Sequence, residues 1–443
     1  MEIKLSDHFT YDRLIRFTLP SIGMSLFLSI YGVIDGLFIS NFAGKMAFAS
    51  VNIIWPFVMI LGGLGAMIGV GGSALVAKTL GEGDKHKASR FFTMTMYMMV
   101  ITSIITSVIA FIFTPQIAVL LGASDELLHD CVVYGRILIV FNIATHAQYT
   151  FQNFLVVAEK PTFGLVVTVI AGVTNIVLDW LFVAVMHGGV VGAGMATCLS
   201  EVVGGLIPLI WFFSKRNKSD LHFVKTDLEI RPILKACGNG VSEMLAGVSG
   251  SIIGILYNRQ LMHYAGADGV AAYGVVMYAA WIFIAILEGY SSGSRPIVGY
   301  HFGAQNRAEM RNLLKKSLTL MIIGGVILTV LSLVLAKTVA GIFVGYDEGL
   351  MDMTVRALRI CCPALAICGV SLYGSGFFTA LNDGIVSAEI SFLHSLVYPF
   401  IAITVMPMIL QLDGVWLSLP VSELLAFITA VVFLIVKRKK YNY

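Results

Sequence analysis

Residues 188–201 read GGVVGAGMATCLSE, and residues 413–423 read DGVWLSLPVSE. Laid over one another at a shift of 222, they place Gly192 on Gly414 and the dipeptide Ser200-Glu201 on Ser422-Glu423. The same shift carries Gly44 onto Gly266 and Gly81 onto Gly303. These matches spread over most of each half, so one local coincidence does not produce them. The 443-residue chain reads as an internal duplication.

What was duplicated follows from composition. The chain is 58% hydrophobic and 12% charged with a mean hydropathy of +0.87, where a soluble domain carries about 25% charged residues. A hydrocarbon core about 30 Å thick takes about 20 apolar residues per helical crossing. Twelve stretches are long enough: 14–38, 48–77, 91–113, 132–157, 162–186, 190–213, 233–262, 269–299, 313–337, 354–381, 385–410 and 414–436. The expected fold is an all-α integral membrane protein with twelve transmembrane helices in two pseudo-symmetric six-helix lobes. The amino-terminal lobe is 1–213, a polar cytoplasmic linker 214–231, and the carboxyl-terminal lobe 232–443. With an even number of crossings per half, the repeats are expected to be parallel and to face each other across a cavity, the design of a transporter.

The amino terminus, MEIKLSDHFTYDRLIR, has charges on both sides of its short apolar residues and no small-residue cleavage site, so no cleaved signal peptide is expected. With both termini cytoplasmic, Lys and Arg gather in the inner segments and the outer loops keep only Lys45 and Lys337. The six cysteines contain no CxxC and lie mostly in apolar spans, which points to neither a disulfide framework nor a zinc site. The net charge of +3 comes from inner loops such as 215–235 and 437–440, where membrane lipids with anionic headgroups attract them; no nucleic-acid partner is implied.

An ionisable side chain near the bilayer centre costs at least about 2.5 kcal/mol, so the few present carry information. Asn175 and Asp179 are four apart, which stacks an amide and a carboxylate on one helix face. With Asp35 of the first span they form an all-oxygen group that suits a proton shared between carboxylates or a sodium ion. Glu243 and Glu288 form a second set in the other half. Their repeat equivalents are Ser21 and Ala66, so each half carries its own polar chemistry. Met277, Tyr278 and Trp281 offer an adaptable wall with cation-π faces beside those acids, and hence a cavity for organic cations. Glu201 and Glu423 occupy equivalent places and read as packing or hinge residues; His146 and His394 read as hydrogen-bonded helix residues. Small-xxx-small pairs such as Gly65/Gly69, Gly250/Gly254, Gly289/Gly293 and Gly299/Gly303 suggest close helix packing.

FTLPSIGMSLFLSIYGVIDGLFIS (17–40), TNIVLDWLFV (174–183), GGVVGAGMATCLSE, and the loops TLGEGDKHKA and HFGAQNRAEM resemble the MATE family of multidrug and toxic compound extrusion transporters, in its prokaryotic DinF/MepA-like branch. That resemblance implies secondary active efflux of cationic or amphipathic drugs by alternating access, with H+ or Na+ as coupling ion and no other cofactor, from a prokaryotic inner membrane by a monomer. It also implies a cation-coupling group of Asp35, Asn175, Asp179 and Thr197, a helix-1 kink at Pro20, and a substrate role for Glu288. Glu243 resembles a seventh-helix glutamate of the NorM-like branch, but that branch's tenth-helix aspartate has no counterpart. The competing readings are a lipid-linked oligosaccharide flippase of the same superfamily, which needs a strongly cationic cavity, and an intramembrane enzyme, for which no nucleophile–base pair is visible.

Overall fold

The computed structural model describes residues 3–443, and every regular element among them is helical. Among the described residues, nine helical runs are long and apolar enough to cross a bilayer. Two of these are too long for one crossing: at about 1.5 Å per residue, the 74-residue run Ile230–Gly303 would extend about 110 Å. Its backbone leaves the helical region at Gly266 (φ 62°), and the run Gly384–Tyr441 does so at Gln411 (φ 52°). A further pair, Asp125–Val140 and Asn142–Val157, makes one crossing bent by 53°. Counting each broken run as two crossings and the bent pair as one gives twelve.

They are α1 (Tyr11–Ala43), α2 (Lys45–Gly81), α3 (Lys85–Leu120), α4 (the bent pair), α5 (Pro161–Val185), α6 (Gly189–Phe213), α7 (230–265), α8 (267–303), α9 (Arg307–Val344), α10 (Glu348–Ala380), α11 (384–410) and α12 (412–441). Several outrun the apolar stretch that marks them. α3 begins at Lys85 because the Asp84 side chain accepts from the Lys87 N–H at 2.9 Å and caps the helix beyond the hydrocarbon. On its outer face Ile104, Ile105, Val108 and Ile112 are exposed, as lipid contact requires.

The duplication is written in the backbone as well as in the sequence. Left-handed residues recur at the 222-residue interval: Gly44 (φ 92°) with Gly266 (62°), Gly83 (87°) with Gln305 (55°), and Gly189 (53°) with Gln411 (52°). Gln305 and Gln411 hold that geometry against a cost of about 1 kcal/mol for a side chain with a Cβ. The two halves meet reciprocally at the end that carries both termini. A Cβ on Gly81 would stand 1.9 Å from the Tyr300 carbonyl oxygen, and one on Gly303 1.9 Å from that of Lys78. Residues 81 and 303, and 78 and 300, are repeat equivalents, so the contact is self-symmetric.

Glycine spacing was an incomplete guide to packing. Gly289 and Gly293 lie against Ile22, Ser21 and Thr18 of α1, whereas Gly250 and Gly254 face open space. Residues 289–293, GYSSG, also satisfy a GxSxG pattern, but they lie inside α8 with no strand-to-helix elbow to present a nucleophile. Between Phe213 and Ile230 the chain is non-helical and runs along α3: His222 N–H donates to Ser89, Val224 N–H to Thr93, and Lys85 pairs with Asp220 at 2.9 Å.

Candidate functional site

Asp35 lies on α1 and Asp179 on α5, and their carboxylates adjoin. Asp179 and Asn175 are fully buried. Asp35 Oδ1, both Asp179 oxygens, and both polar atoms of the Asn175 amide have no hydrogen-bond partner among the described residues. Buried oxygens in that number are normally satisfied, and a proton on one of the two adjoining carboxylates would let it donate to the other. The fully buried Tyr134 hydroxyl of α4, also without a partner, lies within electrostatic reach of Asp35, Asp179 and Glu201. Both acids precede a widened π-helical turn: Ile39–Ala43 begins four residues after Asp35, and Trp180–Val185 directly after Asp179. Such turns leave carbonyls less tightly paired and are common at functional sites. Pro20 sits inside α1, which stays helical through it.

Thr197 lies on α6. Its hydroxyl donates to Ala193 O at 3.1 Å, and it lines a cavity between α2, α4 and α6 with Val58, Leu61, Gly62, Asn142, Thr145 and Glu201. Glu201 accepts a short hydrogen bond from the Thr145 hydroxyl. The packing role expected for this glutamate is therefore too narrow: it is the acid of a polar cavity and lies near Asp35.

A second cavity lies between α8, α10 and α12. Shifting Val58, Leu61, Gly62, Asn142, Thr197 and Glu201 by 222 gives Ala280, Phe283, Ile284, Ala364, Leu419 and Glu423, and all six line it. The two halves thus hold one cavity twice, each with a glutamate from its last helix. Glu423 is bound by His394 Nε2 of α11 at 2.9 and 3.1 Å. His394 lies in the remaining π-helical turn, Leu393–Val397. Neither histidine is idle: His146 Nε2 meets Leu61 O at 2.8 Å.

The carboxyl half also brings Glu243 of α7 and Glu288 of α8 together, through a basic residue of α8. Arg295, buried on α8, binds the Glu243 carboxylate and stands 3.7 Å from Glu288. Its spacing of seven from Glu288, two helical turns, was the available signal. Tyr278 and Trp281 are exposed; their rings meet edge to face at 6.2 Å, and Tyr278 stacks on Phe343 of α9. Met277 and Trp281 share the Glu288 face of α8 by spacing, but Tyr278 turns to α9. Arg356 pairs with Asp413 at 2.5 Å in an exposed position. No group of three or more His, Cys, Asp or Glu stands at metal-binding spacing among the described residues.

Twelve crossings, a recurring backbone and duplicated cavities define a two-repeat membrane transporter rather than an enzyme. The chain belongs to the MatE family, whose model matches residues 20–181 and 244–404, once in each half. It is 24% identical to the multidrug export protein MepA of Staphylococcus saprophyticus over 97% of this chain and 94% of that protein. It is 23% identical to MepA of Staphylococcus aureus MRSA252, over the same shares. An outward-facing multidrug resistance MATE transporter superposes with a TM-score of 0.91 at 22% identity, covering 98% of this chain and 97% of that one. A MOP-superfamily transporter from Pyrococcus furiosus, described as having a binding pocket of reverse polarity, superposes with a TM-score of 0.90 at 21% identity and 98% coverage of both.

Proposed function

We propose that the chain is a secondary active exporter of cationic or amphipathic organic compounds, working by alternating access in antiport with protons or sodium ions. The observation that carries the coupling is the Asp35–Asp179 pair, two adjoining carboxyl groups with no basic side chain paired to either among the described residues. Two such charges out of water repel one another and lose their hydration, so the pair needs a cation. A bound H+ or Na+ removes that penalty, with Asn175 supplying an amide oxygen and Thr197 a hydroxyl from the adjacent cavity. Alternating access follows if the ion is held more tightly in one state than in the other, since a ligand shifts an equilibrium only by its differential affinity. Export of drugs is what the MepA relatives are named for, and Glu243 and Glu288, with Met277, Tyr278 and Trp281 on the same helix as Glu288, supply acidic and aromatic chemistry for it.

The distribution of basic residues supports a prokaryotic inner-membrane protein with both termini on the cytoplasmic side, working among lipids as a monomer. The flippase alternative needs a strongly cationic cavity, but Arg295 is engaged by two glutamates. Reconstituted in liposomes, the protein should drive ethidium out under a proton or a sodium gradient, and Asp35→Asn should abolish it. Unchanged gradient-driven efflux in Asp35→Asn would overturn the coupling; no dye movement in the wild type would overturn drug export.

A further inference from the structure

The segment ahead of α1 reaches across the molecule. Residues 4–7 make a tight turn, in which the Asp7 N–H donates to Lys4 O at 3.1 Å, and Leu5 within it and Phe9 after it are fully buried. Both join one apolar cluster that holds Val156 of the amino half and Ile297, Met310 and Leu313 of the carboxyl half. Leu5 N–H donates to Glu159, between α4 and α5, at 2.6 Å. From the other side, three residues on one face of α9 grip Phe9 and its neighbour. Glu309 accepts from the Phe9 N–H at 2.9 Å and meets the His8 ring at 2.6 Å, and Asn312 and Lys316 donate to the Phe9 carbonyl at 3.0 and 2.7 Å.

The duplication gives this arrangement a counterpart. At the 222-residue shift Asn312 and Lys316 fall on Arg90 and Met94 of α3. Arg90 pairs with Glu229 at 2.6 Å, the Met94 sulfur accepts from the Glu229 N–H at 3.3 Å, and Glu229 directly precedes α7. The segment that leads into the first helix of each half is therefore docked on the third helix of the other half. Their attachments differ. The linker is covalently joined to both halves, whereas residues 3–10 reach the carboxyl half through noncovalent contacts alone.

We propose that residues 3–10 are a detachable strap: docked on α9 they hold the two halves together at the end that carries both termini, and they leave α9 each time the halves part there. The inference rests on the alternating-access reading and adds what restrains opening at this end. Thr10 alone separates Phe9 from α1, so α1 cannot draw away from α9 while Phe9 stays seated. Undocking exposes two buried apolar side chains and gives up the bonds to Glu309, Asn312 and Lys316, so a seated strap favours the closed arrangement.

The test locks the strap in the full-length protein. His8→Cys with Glu309→Cys places two thiols where ring and carboxylate now meet, and diamide oxidises them to a disulfide whose yield mass spectrometry reads. Opening is followed by maleimide labelling at Thr18→Cys, a position buried on α1 against Gly293 of α8, and transport by ethidium efflux from liposomes. Locking should slow labelling at position 18 about 10-fold or more and stop efflux, and dithiothreitol should restore both. Glu309→Ala, which removes the acceptor of Phe9 and His8 without any cross-link, should speed labelling about 5-fold or more. Labelling and efflux unchanged by the disulfide and by Glu309→Ala would overturn the strap and leave the export reading standing. Labelling that follows the strap, with no ethidium efflux in the wild type, would uphold the strap and overturn drug export.

Discussion

The cavity of α2, α4 and α6 and that of α8, α10 and α12 occupy equivalent positions, yet one is lined with Asn142, Thr145 and Thr197 and the other with Ala364, Cys368 and Leu419. Only the glutamate from the last helix of each half is common in type. The adjoining Asp35–Asp179 pair lies near the polar version, and the histidine-bound glutamate lies in the apolar one. Duplication supplied two identical frames, and a few side chains were enough to separate their chemistry. A polar wall can solvate a small ion, and an apolar wall cannot. The proposed division of labour is that the amino half handles the coupling ion and the carboxyl half, at Glu243 and Glu288, the exported cation.

The largest effect should come from the acid pair. Asp179→Asn should reduce gradient-driven efflux at least about 10-fold, within the span of ordinary coupling energies, while cation binding by the carboxyl half persists; flux and binding measured side by side check this. Next comes the symmetric contact between halves. Gly81→Leu or Gly303→Leu places a branched side chain against a backbone carbonyl that a Cβ alone would approach to 1.9 Å, and should lower stability by about 1–3 kcal/mol in detergent unfolding. Gly250→Ala and Gly254→Ala, with nothing within 4 Å, should change it by less than about 0.5 kcal/mol.

That contrast marks how far the sequence reaches. Span length and the 222-residue shift were enough for the twelve crossings, because hydrophobic length and glycine identity are local properties. The meeting of Asp35 with Asp179 was foreshadowed by the cost of burying either alone. Four things needed coordinates. Gly250 and Gly254 have the spacing of a packing motif, but spacing does not say what a face meets. The π-helical turns beside Asp35, Asp179 and His394 are backbone events that residue identity does not announce. That Thr197 shares a cavity with Glu201 depends on helix rotation, which sets side-chain direction. The equivalence of Glu201 and Glu423 was visible, but reading it as inherited packing overlooked that a repeated intramembrane carboxylate is costly twice over.

Exchange of single wall residues should sharpen the comparison. Thr197→Leu should slow ion-driven efflux, and Leu419→Thr should leave it near the wild-type rate. Liposome flux on the two variants checks this. The smallest effect concerns an anchor outside the bilayer. Although partial burial opposes it, the Tyr441 hydroxyl and the Lys440 ammonium hold the Asp383 carboxyl below its ordinary range. A depressed carboxyl stabilises the fold above its unfolded value of about 3.9 and loses that contribution as pH falls through the folded value. Hydrogen exchange of residues 434–443 should therefore rise on acidification below about pH 4, and Asp383→Asn should remove the dependence.

The most direct test of the division of labour is to measure ethidium affinity and gradient-driven ethidium efflux on the same preparations of Asp179→Asn and Glu288→Gln. The account predicts near wild-type affinity with no driven efflux for Asp179→Asn, and an affinity loss of about 10-fold or more for Glu288→Gln. Equal loss of affinity in both variants, or driven efflux persisting in Asp179→Asn, would contradict it.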